Sequence, residues 1–115
     1  MDKKQNYDVE FRVWLFCNGE KLVGKGRIEL LEKIKQTGSI SNAANEMKMS
    51  YRQAWQMVKE MNERGNSVFV EKHLGGKSGG GATITDAGEQ LIKQYHELIK
   101  KVQIFITDES KKLNF

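Results

Sequence analysis

One cysteine, Cys17, and two histidines, His73 and His96, are all that the 115-residue chain offers for cross-linking or for binding a soft metal. A single thiol cannot close an intrachain disulfide, and two histidines far apart in sequence match no metal-ligand spacing. Neither a disulfide scaffold nor a metal centre is therefore expected, and Cys17 reads as a buried strand residue. Long apolar runs are missing as well. Nothing approaches the roughly 18 consecutive apolar residues that cross a bilayer, and the opening Met-Asp-Lys-Lys-Gln-Asn leads into an alternating pattern instead of the apolar core of a signal peptide. These absences make the expectation a cytoplasmic protein without membrane association and without a cofactor. They also leave an enzyme little to stand on, because no nucleophile–base pair or metal spacing accompanies either histidine.

What is present fits one compact domain spanning 1–115. The chain is 38% hydrophobic and 30% charged, with no low-complexity stretch, and is long enough to bury a core without staples. Nineteen basic against 15 acidic residues leave a net charge of +4, with an isoelectric point near 9.2. This balance is compatible with phosphate binding without being diagnostic of it. Placement says more. Lys48, Arg52, Lys59, Arg64, Lys72, His73 and Lys77 fall in the central stretch, against Glu60, Glu63 and Glu71.

Residues 7–17 carry apolar side chains at every odd position, the period of a strand with one buried face. Asn18-Gly19 then favours a type I′ turn, so Glu20–Val23 is expected to return and complete an amino-terminal hairpin over 7–23. Trp14 and Phe16 lie on its other face, which suggests that this face is covered too. From Gly26 the period changes to that of a helix, with Ile28, Leu31 and Ile34 on one side, ending at Thr37-Gly38. Ser39 or Ser41 is suited to cap a short second helix running to about Met49. Ser50 opens a longer one, with Ala54, Val58 and Met61 facing inward, that ends at Arg64-Gly65. Two apolar runs, Val68–Val70 and Ala82–Ile84, flank a glycine-rich loop at 75–81 and predict a strand–loop–strand unit over 67–84. Thr85 caps the last helix, expected over 85–108. Its Leu91, Tyr95, Leu98, Val102 and Phe105 step by four and three into a seam, widened by Ile92, Ile99 and Ile106. That apolar face is wider than one small domain needs, which predicts a homodimer interface.

The short and long helices, separated by a tight turn over 39–64, form a helix-turn-helix. With the strand–loop–strand as a wing, the fold class is α+β and mainly helical: a winged helix-turn-helix with an amino-terminal β-hairpin and a long carboxy-terminal dimerisation helix. On the outward side of the third helix stand Arg52, Gln53, Gln56, Lys59 and Glu63, with Tyr51 and Trp55 at the margin. Arg52 is suited to a guanine edge and Gln56 to an adenine edge, each worth roughly 1–3 kcal/mol of discrimination. Lys59 suits a phosphate, and Ser50 sits where free backbone amides can anchor one. Trp55 is open to two readings, burial against a neighbouring helix or contact with DNA. The Gly76-Lys77-Ser78 step resembles the end of a phosphate-binding P-loop, but that motif requires glycine at position 71, which is Glu, and no helix follows directly.

The runs Gly-Ser-Ile-Ser-Asn-Ala-Ala at 38–44, Met-Ser-Tyr-Arg-Gln-Ala-Trp at 49–55 and Gly-Gly-Lys-Ser-Gly-Gly-Gly-Ala-Thr-Ile-Thr at 75–85, followed by Gly88, Leu91 and Ile92, closely resemble the amino-terminal DNA-binding domain of the molybdate-responsive ModE regulators. More distantly they resemble the LysR-type winged helix. The resemblance covers roughly residues 25–108. It implies sequence-specific binding of double-stranded DNA by a homodimer that regulates transcription. Carried over by position, it implies DNA contacts from Ser50, Tyr51, Arg52, Trp55, Gln56 and Lys59, with Lys77 and Ser78 on the wing. The chain stops where its last helix stops, so the resemblance implies DNA binding without oxyanion sensing, and leaves sensing to a separate effector-sensing protein, to another signal or to none. The amino-terminal strands differ from the helical start of LysR-type proteins. The competing expectation is a winged-helix protein-interaction module or accessory subunit that has lost DNA binding.

Overall fold

The computed structural model describes residues 5–73 and 81–115. In chain order these form β1 (Leu15–Cys17), β2 (Glu20–Val23), α1 (Lys25–Thr37), α2 (Ile40–Glu46), α3 (Tyr51–Arg64), β3 (Val70–His73), β4 (Gly81–Ile84) and α4 (Asp86–Ser110). The chain is mainly helical α+β, with β1–β2 and β3–β4 as two separate antiparallel hairpins. No helix among the described residues is long and apolar enough to cross a membrane.

The core gathers around α1. Ile28, Leu30, Leu31 and Ile34 are fully enclosed, together with Val23 of β2, Met61 of α3 and Val70 of β3. Local sequence sets the helix ends. Gly38 takes the left-handed conformation at φ 70°, which costs a residue without Cβ little, and its N–H closes α1 onto the Ile34 carbonyl at 2.7 Å. Ser39, and not Ser41, caps α2 by accepting from the Asn42 amide at 3.1 Å. That helix ends at Glu46, short of the expected Met49, because Lys48 adopts a left-handed φ of 57° and turns the chain toward α3. A positive φ at a lysine is uncommon and leaves no mark in the sequence.

The amino-terminal strand is shorter than its alternation suggests. β2 leaves for α1 after Val23, so only Leu15, Phe16 and Cys17 find partners, with a register shift between Leu15 and Phe16. Asn18 and Gly19 take φ of 51° and 84°, as the type I′ turn requires. The preceding residues run without a strand partner beside α4. There the Tyr95 hydroxyl donates to the Val13 carbonyl at 3.0 Å, and Tyr7 meets Phe115 edge-on with ring centres 5.1 Å apart. Phe11, Val13, Leu15 and Cys17 are half-buried and the even positions are exposed. The cover expected over Trp14 and Phe16 is slight: Trp14 lies against Gly24 beneath the Lys21 ammonium, and Phe16 is 55% exposed.

In the wing, β3 and β4 pair Val70 with Ile84, Glu71 with Thr83, Lys72 with Ala82 and His73 with Gly81. Val68, expected in the strand, stands outside it and exposed, because a side chain of α3 binds the backbone just after it. Asn62 Oδ1 accepts from the amides of Phe69 at 2.9 Å and Val70 at 3.3 Å, while its Nδ2 donates to the Val70 carbonyl at 3.0 Å. The other wing strand is held by the α1–α2 turn, where the Ala82 amide donates to the Gly38 carbonyl at 2.9 Å. Thr85 then caps α4 through the Gly88 amide and donates to the Val68 carbonyl. A Cβ at Gly88 would fall 2.5 Å from the Phe69 carbonyl oxygen, so the first turn of α4 reaches the wing only with glycine there.

Helix α4 has 25 residues, roughly 38 Å, and divides in two. Its first half belongs to the chain's own core. Tyr95 is 4% exposed, and Leu91, Ile92 and Ile99 pack against the core beside it. Tyr95, placed in the expected seam, is enclosed within the chain's own core. Beyond it Leu98 and Phe105 are exposed and Val102 is half-buried.

A second clasp joins α1, α3 and the first hairpin. Arg27 binds Glu60 at 2.6 Å, and Arg64 reaches Glu60 at 3.5 Å, Glu20 at 3.2 Å and the Lys21 carbonyl at 3.0 Å. Partial burial pushes the Glu60 carboxyl up, but hydrogen bonds from Gln56 and Arg27 and the charges of Arg27 and Arg64 outweigh it, so its pKa lies below the ordinary carboxylate value.

Two predictions follow from these clasps. Asn62→Ala strands the Phe69 amide and both Val70 groups, and should cost roughly 1–3 kcal/mol in urea unfolding; Asn62→Asp, which keeps the acceptor, should cost less. Because folding lowers the Glu60 pKa, its contribution is complete above the ordinary carboxylate range and is lost as pH falls through the depressed value. Glu60→Gln should lower the melting temperature near neutral pH and flatten its fall on acidification, as read in melts from about pH 7 to about pH 3.

Candidate nucleic-acid interface

The third helix starts from a sharp corner. Lys48 reverses the chain, Ser50 takes an extended conformation, and its Oγ accepts from the Gln53 amide at 3.1 Å. The Ser50 hydroxyl, proposed from sequence as a phosphate anchor, is thus engaged as the cap. The amides of Tyr51 and Arg52 remain at the positive end of the helix. Ala54, Val58 and Met61 are buried against the core and fix the rotation of the helix. Its opposite side then presents Arg52, Gln56, Lys59 and Glu63 at steps of four, three and four, all exposed, beside exposed Tyr51 and Gln53.

Few intramolecular partners occupy this stripe. Among the described residues, no carboxylate pairs with Arg52, Lys59 or Lys72. The Gln56 amide nitrogen donates to Glu60 at 3.3 Å. Glu60 lies under the stripe, but Arg27 and Arg64 compensate its charge, so it does little to repel an anion above it. Glu63 and Glu71 remain as exposed acids at the edges.

Trp55, which the sequence leaves open between burial against a neighbouring helix and contact with DNA, is neither enclosed nor fully exposed. It is half-buried, and its ring carries two ammonium groups: Lys59 Nζ at 5.4 Å and Lys72 Nζ at 4.8 Å from the ring centre. Lys59 comes from the next turn of α3 and Lys72 from β3, so the tryptophan sits where helix and wing meet. Lys72 was legible only as one of several central basic residues; placing it beside Lys59 requires the wing register. Asn62 was missed altogether, its sole sequence signal being an amide side chain next to a core position near the end of a helix. Lys77 and Ser78 lie outside the described residues.

Among the described residues no three potential metal ligands converge. A groove of about 970 Å³ is lined by residues 9–14, the start of α1 and the middle of α4, including Tyr95 and His96; Cys17, Glu71 and His73 are not part of it.

Comparison with known proteins agrees with this geometry. Residues 26–89, from α1 through the first turn of α4, match the model of the bacterial regulatory helix-turn-helix proteins of the lysR family. Over 77 residues, 67% of this chain, the sequence is 43% identical to the DNA-binding transcriptional dual regulator ModE of Escherichia coli, covering 29% of that protein. It is 42% identical over 92 residues to the molybdenum-pterin-binding protein MopB of Rhodobacter capsulatus, or 80% of this chain and 34% of that one. A further relative is the molybdenum transport protein ModE of Azotobacter vinelandii, 36% identical over 88 residues, 76% of this chain and 33% of that protein. The chain therefore spans about a third or less of the length of these curated relatives. The matched stretch holds α1, the capped α2–α3 pair and the wing strands, and by it the chain belongs to the lysR family of bacterial regulatory helix-turn-helix proteins.

Proposed function

We propose that this protein binds duplex DNA sequence-specifically as a homodimer in the bacterial cytoplasm and regulates transcription. The observation that carries this reading is the outward stripe of α3, where Arg52, Gln56 and Lys59 stand exposed, with Lys72 of the wing beside them and no carboxylate paired with Arg52, Lys59 or Lys72 among the described residues. A helix of this width enters the major groove, where base edges present distinguishable donors and acceptors. Arg52 is free to bind a guanine edge with two parallel hydrogen bonds, and Tyr51 flanks it at the helix start. Lys59, the amides at the start of α3 and, on the resemblance alone, Lys77 and Ser78 hold the phosphate backbone.

The homodimer rests on the second half of α4. Leu98, Val102 and Phe105 continue one seam past the point where the chain's own core ends, and Phe105 is 63% exposed with Ile104 beside it at 56%. A second copy covering this stripe would remove that apolar surface from water. Two recognition helices about 34 Å apart would then read successive major grooves.

The experiment is selection of bound duplexes from a random pool at about 150 mM salt, where non-specific binding is weak, with and without molybdate. Enrichment of an inverted repeat is the expected result; no enrichment favours a protein-interaction module on the same scaffold. On the selected site, Arg52→Ala should lose roughly 1–3 kcal/mol of discrimination at one base position of each half-site in competition binding. A uniform loss across sequences would reassign Arg52 to the backbone. Phe105→Glu should convert the dimer to a folded monomer in analytical ultracentrifugation and weaken binding to the repeat, while a variant that stays dimeric would move the interface elsewhere.

A further inference from the structure

We infer that Trp55 is a positioning residue for phosphate contact: its ring holds Lys59 of α3 and Lys72 of β3 as one pre-aimed pair of ammonium groups for the DNA backbone, and does not itself read bases. The inference rests on the DNA-binding reading above and assigns a role within it to Trp55 and Lys72.

Both ammoniums lie over the same ring, at 5.4 and 4.8 Å from its centre. The negative face of an indole attracts a cation at this range, and so offsets the mutual repulsion of two like charges gathered on one patch. The wing delivers Lys72 there by register. Val70 and Lys72 share one face of β3, opposite Ile84 and Ala82. Val70, Ala82 and Ile84 are buried, so that face points inward, and at Lys72 it emerges from the core and meets Trp55. Asn62 locks β3 to α3 at Phe69 and Val70, three and two residues before Lys72, so the spacing between the two lysines' backbones is fixed as well. A lysine on a flexible four-carbon stem normally loses rotamer freedom when it binds a phosphate; one already laid on a ring loses less. Trp55, half-buried with its ring taken by two lysines, is poorly placed to enter a groove.

The test is a mutant cycle read by DNA affinity and base preference. Trp55→Leu should weaken binding to the selected site and to unrelated duplex alike, by roughly 5- to 30-fold, the size of two exposed cation–π contacts. Trp55→Phe, which keeps a ring, should recover most of that loss. In a Lys59→Gln/Lys72→Gln background Trp55→Leu should change affinity less than about twofold, since the groups it positions are gone. Circular dichroism and melting of each variant identify any that fail to fold, and Trp55→Phe carries the test if Trp55→Leu does. Two results overturn the inference: a changed base preference in Trp55→Leu, which would make the tryptophan a reader, or an equal loss with and without the lysines. Wild-type protein that enriches no sequence overturns the base-reading function alone, because the coupling is still read on non-specific duplex at low salt; wild-type protein that holds no duplex overturns both.

Discussion

Asn62 ties the recognition helix to the wing with a single side chain. Its carboxamide supplies one acceptor and one donor to the backbone of Phe69 and Val70, where the chain comes out of the loop after α3 and enters β3. Those backbone groups are partly buried, and without the amide they would be left unpaired, a larger penalty than the net gain from an average hydrogen bond. Much else hangs from this point. The Phe69 carbonyl accepts from the Thr85 amide, Thr85 caps α4, and Gly88 lets the first turn of α4 approach the same carbonyl. A shift of β3 against α3 would displace the wing, the start of the last helix and the lysine pair on Trp55 together.

The electrostatics follow a related logic of separation. The most interior carboxylate near α3, Glu60, is turned toward Arg27 of α1 and Arg64 of its own helix, and Arg64 extends the network to the first hairpin through Glu20 and the Lys21 carbonyl. The neighbouring cations Arg52, Lys59 and Lys72 are without carboxylate partners among the described residues and face solvent or the Trp55 ring. One helix therefore carries a structural ion network on one flank and, on the adjacent one, the exposed basic side chains Arg52 and Lys59 without carboxylate partners among the described residues. A net charge of +4 would not by itself reveal such an arrangement. Local placement, and not the total, creates an attractive field for a polyanion.

Helix α4 shows how one apolar pattern can serve two ends. The heptad-like spacing runs unbroken from Leu91 to Phe105, yet Tyr95 closes the core and donates to the amino-terminal segment, whereas Phe105 stands in solvent. Spacing along a helix reports which side chains share a face. It does not report where along that face the rest of the chain runs out, since that depends on how far the other elements extend.

Local chemistry made much of this protein legible before any fold was known. The type I′ turn at Asn18-Gly19, the left-handed end at Gly38, the caps at Ser50 and Thr85, and the buried stripe Ala54, Val58, Met61 all depend on backbone conformation and side-chain periodicity within a few residues. Those are properties a sequence carries directly. Periodicity and turn signals also indicated the fold class and the outward face of α3, and the runs shared with a known regulator family agree with both. The length of β1 was not legible, because a strand is as long as its partner permits, and β2 stops at Val23. Nor were the early end of α2, set by a left-handed Lys48, or the Asn62 clasp, which joins side chain and backbone across a loop. The meeting of Lys59 and Lys72 on Trp55 belongs to the same class. The sequence alone determined the helices, turns and caps and which faces they bury, because those rules act over one or two turns of chain; the tertiary structure decided which distant groups share a patch, because that depends on strand register and helix packing, which no local pattern encodes.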